Sequence, residues 1–491
     1  MSMLKEYRRL FIGGSWVDSE TGRVEPVLNP ATEEIIGVAP VGGRADTIRA
    51  IEAARHAFDE GPWPHMSVRE RSAILVRMAE AMEKRREEIV ALNIAETGCT
   101  RAGAESFQTG IPIAHFRDMA ERVLPTFPLE VGLPPQIGAG IGQGVVRREP
   151  FGVAALVSAY NFPFFLNLMK LGPALAAGCT TVLKPAPTTP LEAFIIGEIA
   201  QEAGLPDGVL NIVTGDIDAG TELTTNPMVD VVSFTGSDIV GRKVFEQAAP
   251  TLKKVVLELG GKSANIICDD ADLTRATQSV IRDTILHAGQ GCAYLTRTLV
   301  HRSRYDELLE LVRTQLAAVT VGDPAHPDTT MGPLGSANQR TRVEELIATG
   351  IAEGATVAVG GGRPAHLTAG YFIEPTLFVD VDNSMTIARR EFFGPVMILM
   401  PFDDDDDAVR IANDSEYGLA GGVWARDPIR AYHIGQRLRT GYVTINGGGG
   451  GLNPDGPFGG YKQSGLGRER GAAGMDEFLQ TKTMIWGVAA G

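Results

Sequence analysis

Cysteine is scarce in this chain of 491 residues: Cys99, Cys179, Cys268 and Cys292 are scattered, and none forms a C-x-x-C pair. That excludes a disulfide framework and leaves four free thiols. The eight histidines lie far apart, with no H-x-x-x-H or Cys/His spacing, so no metal site is expected. Positive charge is also in deficit. Lys and Arg number 45 against 60 Asp and Glu, a formal net charge of -15. Without a basic stripe to displace phosphate counterions, a nucleic-acid partner is excluded. No apolar stretch approaches the ~20 residues that cross a bilayer, and residues 1–9 lack the apolar core of a signal peptide. The expected compartment is therefore the cytoplasm, with no membrane partner.

The chain does have apolar residues enough for a large interior, 44%, and a length beyond that at which one core keeps growing. From about residue 150 onward, short β-branched runs alternate with helical patterns, the signature of parallel α/β construction. A first series of strands is expected at 153–158, 180–184, 209–215, 231–236 and 255–260. A second follows at 264–268, 298–301, 357–360, 396–402, 422–425 and 442–446. The fold class is α/β, with two parallel-sheet domains. Residues 1–126 and 145–256 make the first and 257–445 the second, while 127–144 and 446–491 bridge. The Gly/Pro-rich segment 127–144 suits a small β arm reaching another subunit. Residues 303–319 read as a helix capped by Ser303, with Tyr305, Leu308, Leu309, Val312 and Leu316 on one face. The acidic run 403–407 opens a further helix, where negative charge favours the first free N–H groups.

Several short motifs have chemical content. In Gly289-Gln290-Gly291-Cys292 small neighbours let a carbonyl compound reach sulfur and let the Cys292 N–H point at a developing oxyanion. A cysteine by itself is more often a small buried hydrophobe, and Cys99, Cys179 and Cys268 keep that reading. Glu258 lies in the apolar run Leu257-Glu258-Leu259-Gly260-Gly261, where desolvation would raise its pKa and suit a general base. A structural ion pair is the competing reading. Asn161, in Tyr160-Asn161-Phe162-Pro163 after a strand, offers a neutral amide donor for an oxyanion, or turn chemistry. Thr235-Gly236-Ser237 runs from a strand end into a helix start, whose N–H groups favour a pyrophosphate. Lys184, ending a strand before Pro185, could reach a ribose or phosphate. The usual G-x-G-x-x-G fingerprint is missing.

Together and in order, YNFP (160–163), LKPA (183–186), LELGGKS (257–263), GQGC (289–292), EFFGPV (391–396) and PFGGYKQSGLGRE (457–469) resemble the aldehyde dehydrogenase superfamily. The likeness runs from Phe11-Ile12-Gly13-Gly14 to Lys482. It implies a Rossmann-like cofactor domain, a catalytic domain and a bridging arm, assembled as a homodimer or homotetramer. It implies Cys292 as nucleophile, Asn161 and the Cys292 amide as oxyanion donors, and Glu258 as general base. Lys184 would meet the adenosine ribose, Ser237 the pyrophosphate and Glu391 the nicotinamide ribose, with Phe393 beside the ring. Pro187, Gly215, Thr235, Gly236 and Leu259 complete the implied cofactor set.

The implied reaction is oxidation of an aldehyde by NAD(P), through a thiohemiacetal and a thioester that water then hydrolyses. The presence of Glu258 separates the chain from the acylating branch, which lacks a base there. Pro187 stands where many NAD-preferring relatives carry a glutamate, so NAD is expected with NADP or dual use open, Thr188 or Thr189 being available to a 2'-phosphate. Five glycines at 447–451 suggest a mobile mouth without a side-chain wall. Phe162, Leu166, Met169 and Phe458 would form an apolar tunnel, with Gly291, Ala293 and Tyr294 beside the thiol, fitting a bulky hydrophobic or aromatic aldehyde. Two other readings compete. One is a cofactor-independent thiol hydrolase or acyltransferase pairing Cys292 with His287, a residue expected to be packed on a helix instead. The other is a non-catalytic structural protein on the same fold.

Overall fold

The computed structural model describes residues 4–138, 140–448 and 452–488. Of the glycine run, Gly447 and Gly448 fall within it; 449–451 lie outside the described residues.

Two sheets dominate. The first has eight strands in the order Gly465–Leu466, Lys254–Glu258, Val231–Thr235, Val153–Val157, Thr180–Lys184, Leu210–Ile212, Arg9–Ile12 and Ser15–Asp18. Its five central strands are parallel, and both edges are antiparallel. Every side chain of Val231–Thr235 and Thr180–Lys184 is buried, as expected of strands covered on both faces. The helix Pro163–Ala177 is buried along its whole length, with Pro163 at its first turn and Gly178 closing it at φ 98°. Phe164, Leu168, Leu171 and Leu175 are wholly buried, each stabilising by about 1.5–3 kcal/mol relative to exposure.

The second sheet has seven strands: Thr356–Val359, Thr376–Val379, Val396–Phe402, Arg297–His301, Ala264–Ile267, Ala420–Trp424 and Tyr442–Ile445. All neighbours are parallel except the first pair. These are the two α/β units expected, with some differences. Thr376–Val379 was not foreseen, being a four-residue run behind Pro375. The strand expected at 209–215 is only Leu210–Ile212, because Gly215 at φ 138° turns the chain against the Gly42 carbonyl.

Ser303 does not cap the helix Tyr305–Ala317. Its hydroxyl bonds His301 Nδ1 at 2.8 Å and it lies in a tight turn at Arg302–Arg304. Leu308, Val312 and Leu316 do form the buried stripe. Asp404 caps Asp405–Asn413, accepting from the Asp407 N–H at 2.8 Å.

The arm is a three-stranded antiparallel sheet of Glu130–Ile137, Ile141–Pro150 and Leu479–Val488. It takes in residues 145–150, expected in the first domain. Within 446–491 only Leu479–Val488 joins it. Gly465–Leu466 pairs with Lys254–Glu258, and Met475 and Phe478 sink into the first core, since apolar side chains there gain more by burial than by bridging.

Candidate active site

The parallel strands of the first sheet end at a cleft facing the second, the place where open α/β sheets present their loops to ligands. A cavity of about 480 Å³ occupies it, lined by both units. It gathers Asn161, Glu258, Gly291, Cys292, Ala293 and Tyr294 with Thr235, Gly236, Ser237, Leu259, Glu391 and Phe393. Phe162, Leu166 and Phe458 line it as well. Of the residues expected in the site, Lys184, Pro187, Gly215 and Met169 do not line it. Gly215 serves the turn described above. Met169 lies one layer back, packed with Phe162, Phe165 and Leu166. Lys184 ends its strand buried, its Nζ donating to the Pro185 carbonyl at 3.3 Å. Pro187 and Thr188 are exposed, whereas Thr189 is buried with its hydroxyl on the Tyr160 carbonyl at 3.3 Å. Thr189 is thereby removed as a phosphate donor.

Cys292 is the one thiol of the four that is partly accessible. The chain reaches it through a turn in which His287, Ala288 and Gly289 are all left-handed, at φ 49°, 50° and 72°. For two non-glycine residues this costs on the order of 1–2 kcal/mol each. Gln290 holds the turn: its Oε1 accepts from Tyr160 Oη at 3.2 Å and Gly335 N at 2.9 Å, while its Nε2 donates to the His287 carbonyl at 3.0 Å. A Cβ on Gly289 would strike the Gly394 backbone, and one on Gly291 would come within 2.5 Å of the Tyr294 ring. Burial, with Glu258, Glu391 and Glu469 nearby, pushes the Cys292 thiol well above its ordinary value.

Asn161 Nδ2 donates to the Gln290 carbonyl at 2.8 Å, keeping its second hydrogen for another acceptor. Gln108 Nε2 in turn donates to the Asn161 carbonyl at 3.0 Å. Glu258 ends its strand fully inside, with Oε1 unpartnered among the described residues. Burial first, then Glu469, raises its pKa far above the carboxylate range. Beneath it, Lys170 of the buried helix donates to Ser233 Oγ at 3.0 Å and Glu469 Oε1 at 2.7 Å. Sequence reasoning assigned neither Lys170 nor Glu469 a role. A lysine in the run LNLMKLGPALAA, apolar but for Asn167, was the available signal, because an unpaired buried ammonium costs several kcal/mol.

Toward the other end of the cavity, Ser237 caps the helix Asp238–Ala248, accepting from Val240 N at 3.3 Å. Thr235 Oγ1 beside it is buried without a partner among the described residues. Glu391 accepts from Gly261 N at 3.0 Å, and burial raises it to about 7. A Cβ on Gly260 would collide with that carboxylate. Gln339 Nε2 fixes the Phe393 carbonyl at 2.7 Å. An orphaned hydroxyl, a helix start and a glycine-cleared carboxylate make this end of the cavity polar, in contrast to the wall opposite.

The opposite wall is apolar and wider than expected. Phe107 stacks on Phe165 with centroids 5.5 Å apart and meets Phe162 at 5.1 Å, and Ile111 and Leu452 pack against them. His287 is not a partner for the thiol. Its ring is buried against Phe162 at 5.3 Å, burial lowers it to about 4, and neither nitrogen has a partner among the described residues. Among the described residues no cluster of three or more His, Cys, Asp or Glu is arranged to hold a metal ion, and no helix is long and apolar enough to cross a membrane.

A sequence model described as the Aldehyde dehydrogenase family matches residues 16–484. A 3-succinoylsemialdehyde-pyridine dehydrogenase from a Pseudomonas species is 43% identical over 485 residues, covering 98% of this chain and 99% of that one. The crystal structure of a Mycobacterium tuberculosis aldehyde dehydrogenase complexed with NAD+ superposes with TM-score 0.92 at 46% identity, covering 98% of each chain. A Pseudomonas syringae aldehyde dehydrogenase C mutant, complexed with NAD+ and octanal, gives TM-score 0.93 at 38% identity, covering 97% of this chain and 96% of that one.

Proposed function

The chain belongs to the aldehyde dehydrogenase family, and from that premise we propose that it oxidises a bulky, largely apolar aldehyde to the carboxylic acid through a thioester on Cys292. The observation that carries this reading is the cavity in which a partly accessible thiol, an amide donor and a protonatable carboxylate share walls with Thr235, Ser237 and Glu391. The known NAD+ complexes of relatives support NAD as cofactor. The helix start at Ser237, Thr235 Oγ1 and Glu391 would hold it, with Lys184 at its far end, and when bound it supplies the hydride acceptor.

The residues then divide the work. Cys292 loses its proton to the Glu258 carboxylate, and sulfur adds to the aldehyde carbon. The resulting oxyanion takes the free hydrogen of Asn161 Nδ2 and the Cys292 N–H, an interaction worth about 3–4 kcal/mol per donor in such sites. Collapse of the oxyanion either loses sulfur and returns the aldehyde or gives up the C–H pair as hydride, for which the bound dinucleotide would be the acceptor, leaving a thioester on Cys292. After its first proton has passed to solvent, Glu258 takes one from water; the water oxygen adds, the C–S bond breaks and the acid departs.

The apolar wall of Phe107, Phe162, Phe165, Leu166 and Leu452 supports a bulky substrate, as do the octanal bound in one relative's structure and the succinoylsemialdehyde-pyridine in the name of another. We also place subunit contact on the arm, where Val131, Leu133, Ile137, Ile141, Ile485 and Trp486 are exposed. The packed position of His287 argues against a cofactor-independent hydrolase. Growth of reduced-cofactor absorbance with aldehydes from acetaldehyde to long aliphatic and aromatic members tests the assignment. Rates rising with apolar size are expected, and a clear preference for acetaldehyde would overturn the substrate class.

A further inference from the structure

Most charged groups near the thiol are already matched. Lys170 answers Glu469, Arg282 answers Asp283 at 2.8 Å, and Glu391 accepts from a backbone amide. Glu258 Oε1, kept for the chemistry, and Arg470 are the exceptions. Arg470 lines the cavity with Cys292 and Tyr442, is only 6% exposed, and its Nη1 has no partner among the described residues. Its guanidinium lies over the Phe458 ring, 4.5 Å from the centroid. On its other side it borders a small void with His115 and Asp118. That carboxylate is not its partner, being held by Arg122 through two bonds of 2.7 and 2.6 Å.

The backbone at Arg470 is unusual as well. At φ 74° and ψ 149° it occupies a region that is essentially glycine's. The cause is visible in its neighbours. Phe458 and Glu469 exchange backbone hydrogen bonds of 2.9 and 2.7 Å, and the Glu469 side chain must turn inward to Lys170. The chain then has to reverse at the next residue, where glycine would relieve the strain and arginine does not. The Glu469 and Glu258 carboxylates are near enough to steady the charge, but a buried guanidinium N–H that makes no hydrogen bond is still costly, and strain plus desolvation at one residue points to a ligand that offsets both. The hydroxyl of Tyr294, lining the same cavity, is likewise buried and unpartnered among the described residues.

We infer that Arg470 is a specificity residue that receives an oxygen acceptor, carboxylate or keto, on the far part of the aldehyde. This rests on the reading of the cavity as an aldehyde site and narrows it: the substrate has an apolar body held by the phenylalanine wall and one oxygen function directed at Arg470. Such a substrate is an oxo acid or a keto aldehyde, not a plain alkanal.

Steady-state kinetics with 5-oxopentanoate, a keto aldehyde and hexanal on the wild type and on Arg470→Leu tests this. The wild type should prefer one acceptor-bearing aldehyde over hexanal by about tenfold or more in kcat/KM, chiefly through KM. Arg470→Leu should collapse that ratio, and the favoured arm tells carboxylate from ketone. Equal kcat/KM for all three in the wild type, or a ratio unchanged by the substitution, would overturn the inference. So would a parallel fall for all substrates with a displaced pH profile, since Arg470 would then be serving Glu258. Should the leucine variant not fold, inhibition of the wild type decides: glutarate or 5-oxohexanoate must compete better than hexanoate, and equal inhibition by all three overturns the inference. If no aldehyde at all yields reduced cofactor, the function proposed above has failed, not this refinement of it.

Discussion

The two walls of the cavity are built differently. Around Cys292 the positions are set by backbone: a left-handed turn at 287–289, a glutamine tying two other segments to it, and a strand end carrying Glu258. Facing them, Phe107, Phe162, Phe165, Leu166 and Leu452 meet as side chains from separate stretches of chain, held by packing alone. The first arrangement tolerates almost no change, because its hydrogen bonds and close approaches leave no slack. The second can be reshaped one ring at a time. Chemistry and selectivity are thereby placed on surfaces with different susceptibility to substitution.

Changes on the backbone-built wall should have the largest effects. Cys292→Ala should remove aldehyde oxidation altogether, a loss on the order of 10⁶-fold in turnover, while NAD titration by fluorescence still shows binding. Glu258→Gln should slow the first equivalent of reduced cofactor as well as its steady release, with steady turnover lower by about 10²–10⁴-fold. The same carboxylate gives the sign of the pH response. Burial raises its pKa, so the base form, and with it the wild type's steady rate, should grow as pH rises past the ordinary carboxylate range. A Glu258→Gln variant whose residual steady rate keeps that rise would show that another group deacylates. Asn161→Ala, removing one oxyanion donor, should cost about 10²–10³-fold in kcat/KM.

On the packed wall the effects should be smaller and should discriminate among substrates. Phe165→Ala should lower stability by about 3–5 kcal/mol, read in a denaturant titration, and raise KM for aromatic aldehydes more than for short ones. An equal rise for every aldehyde would erase the distinction between the walls. Smallest of all, Pro187→Glu on the exposed rim should reduce kcat/KM for NADP by about tenfold through charge repulsion, leaving NAD little changed.

This difference also explains what could be read in advance. The strand Thr180–Lys184, the acidic cap of Asp405–Asn413 and the grouping of Asn161, Glu258 and Cys292 were legible, because their determinants lie within a few consecutive residues. Ser303 misled, since its hydroxyl had a better partner in His301. Lys170 and Glu469 are 299 residues apart in sequence, and no local pattern announces such a pair. Phe107 lies in the π-helical stretch Ala104–Gly110, where side chains no longer follow the 3.6-residue period that marks an apolar face.

One path deserves to be followed to its end. The segment that pairs Gly465–Leu466 beside Glu258 goes on to place Glu469 on Lys170, and then runs through Gly471–Asp476 into the arm strand Leu479–Val488. Glu469, the partner of Lys170, and the arm strand are thus two points on one short stretch of chain. An arm strand that shifted would therefore carry with it the stretch of chain that holds Glu469 on Lys170.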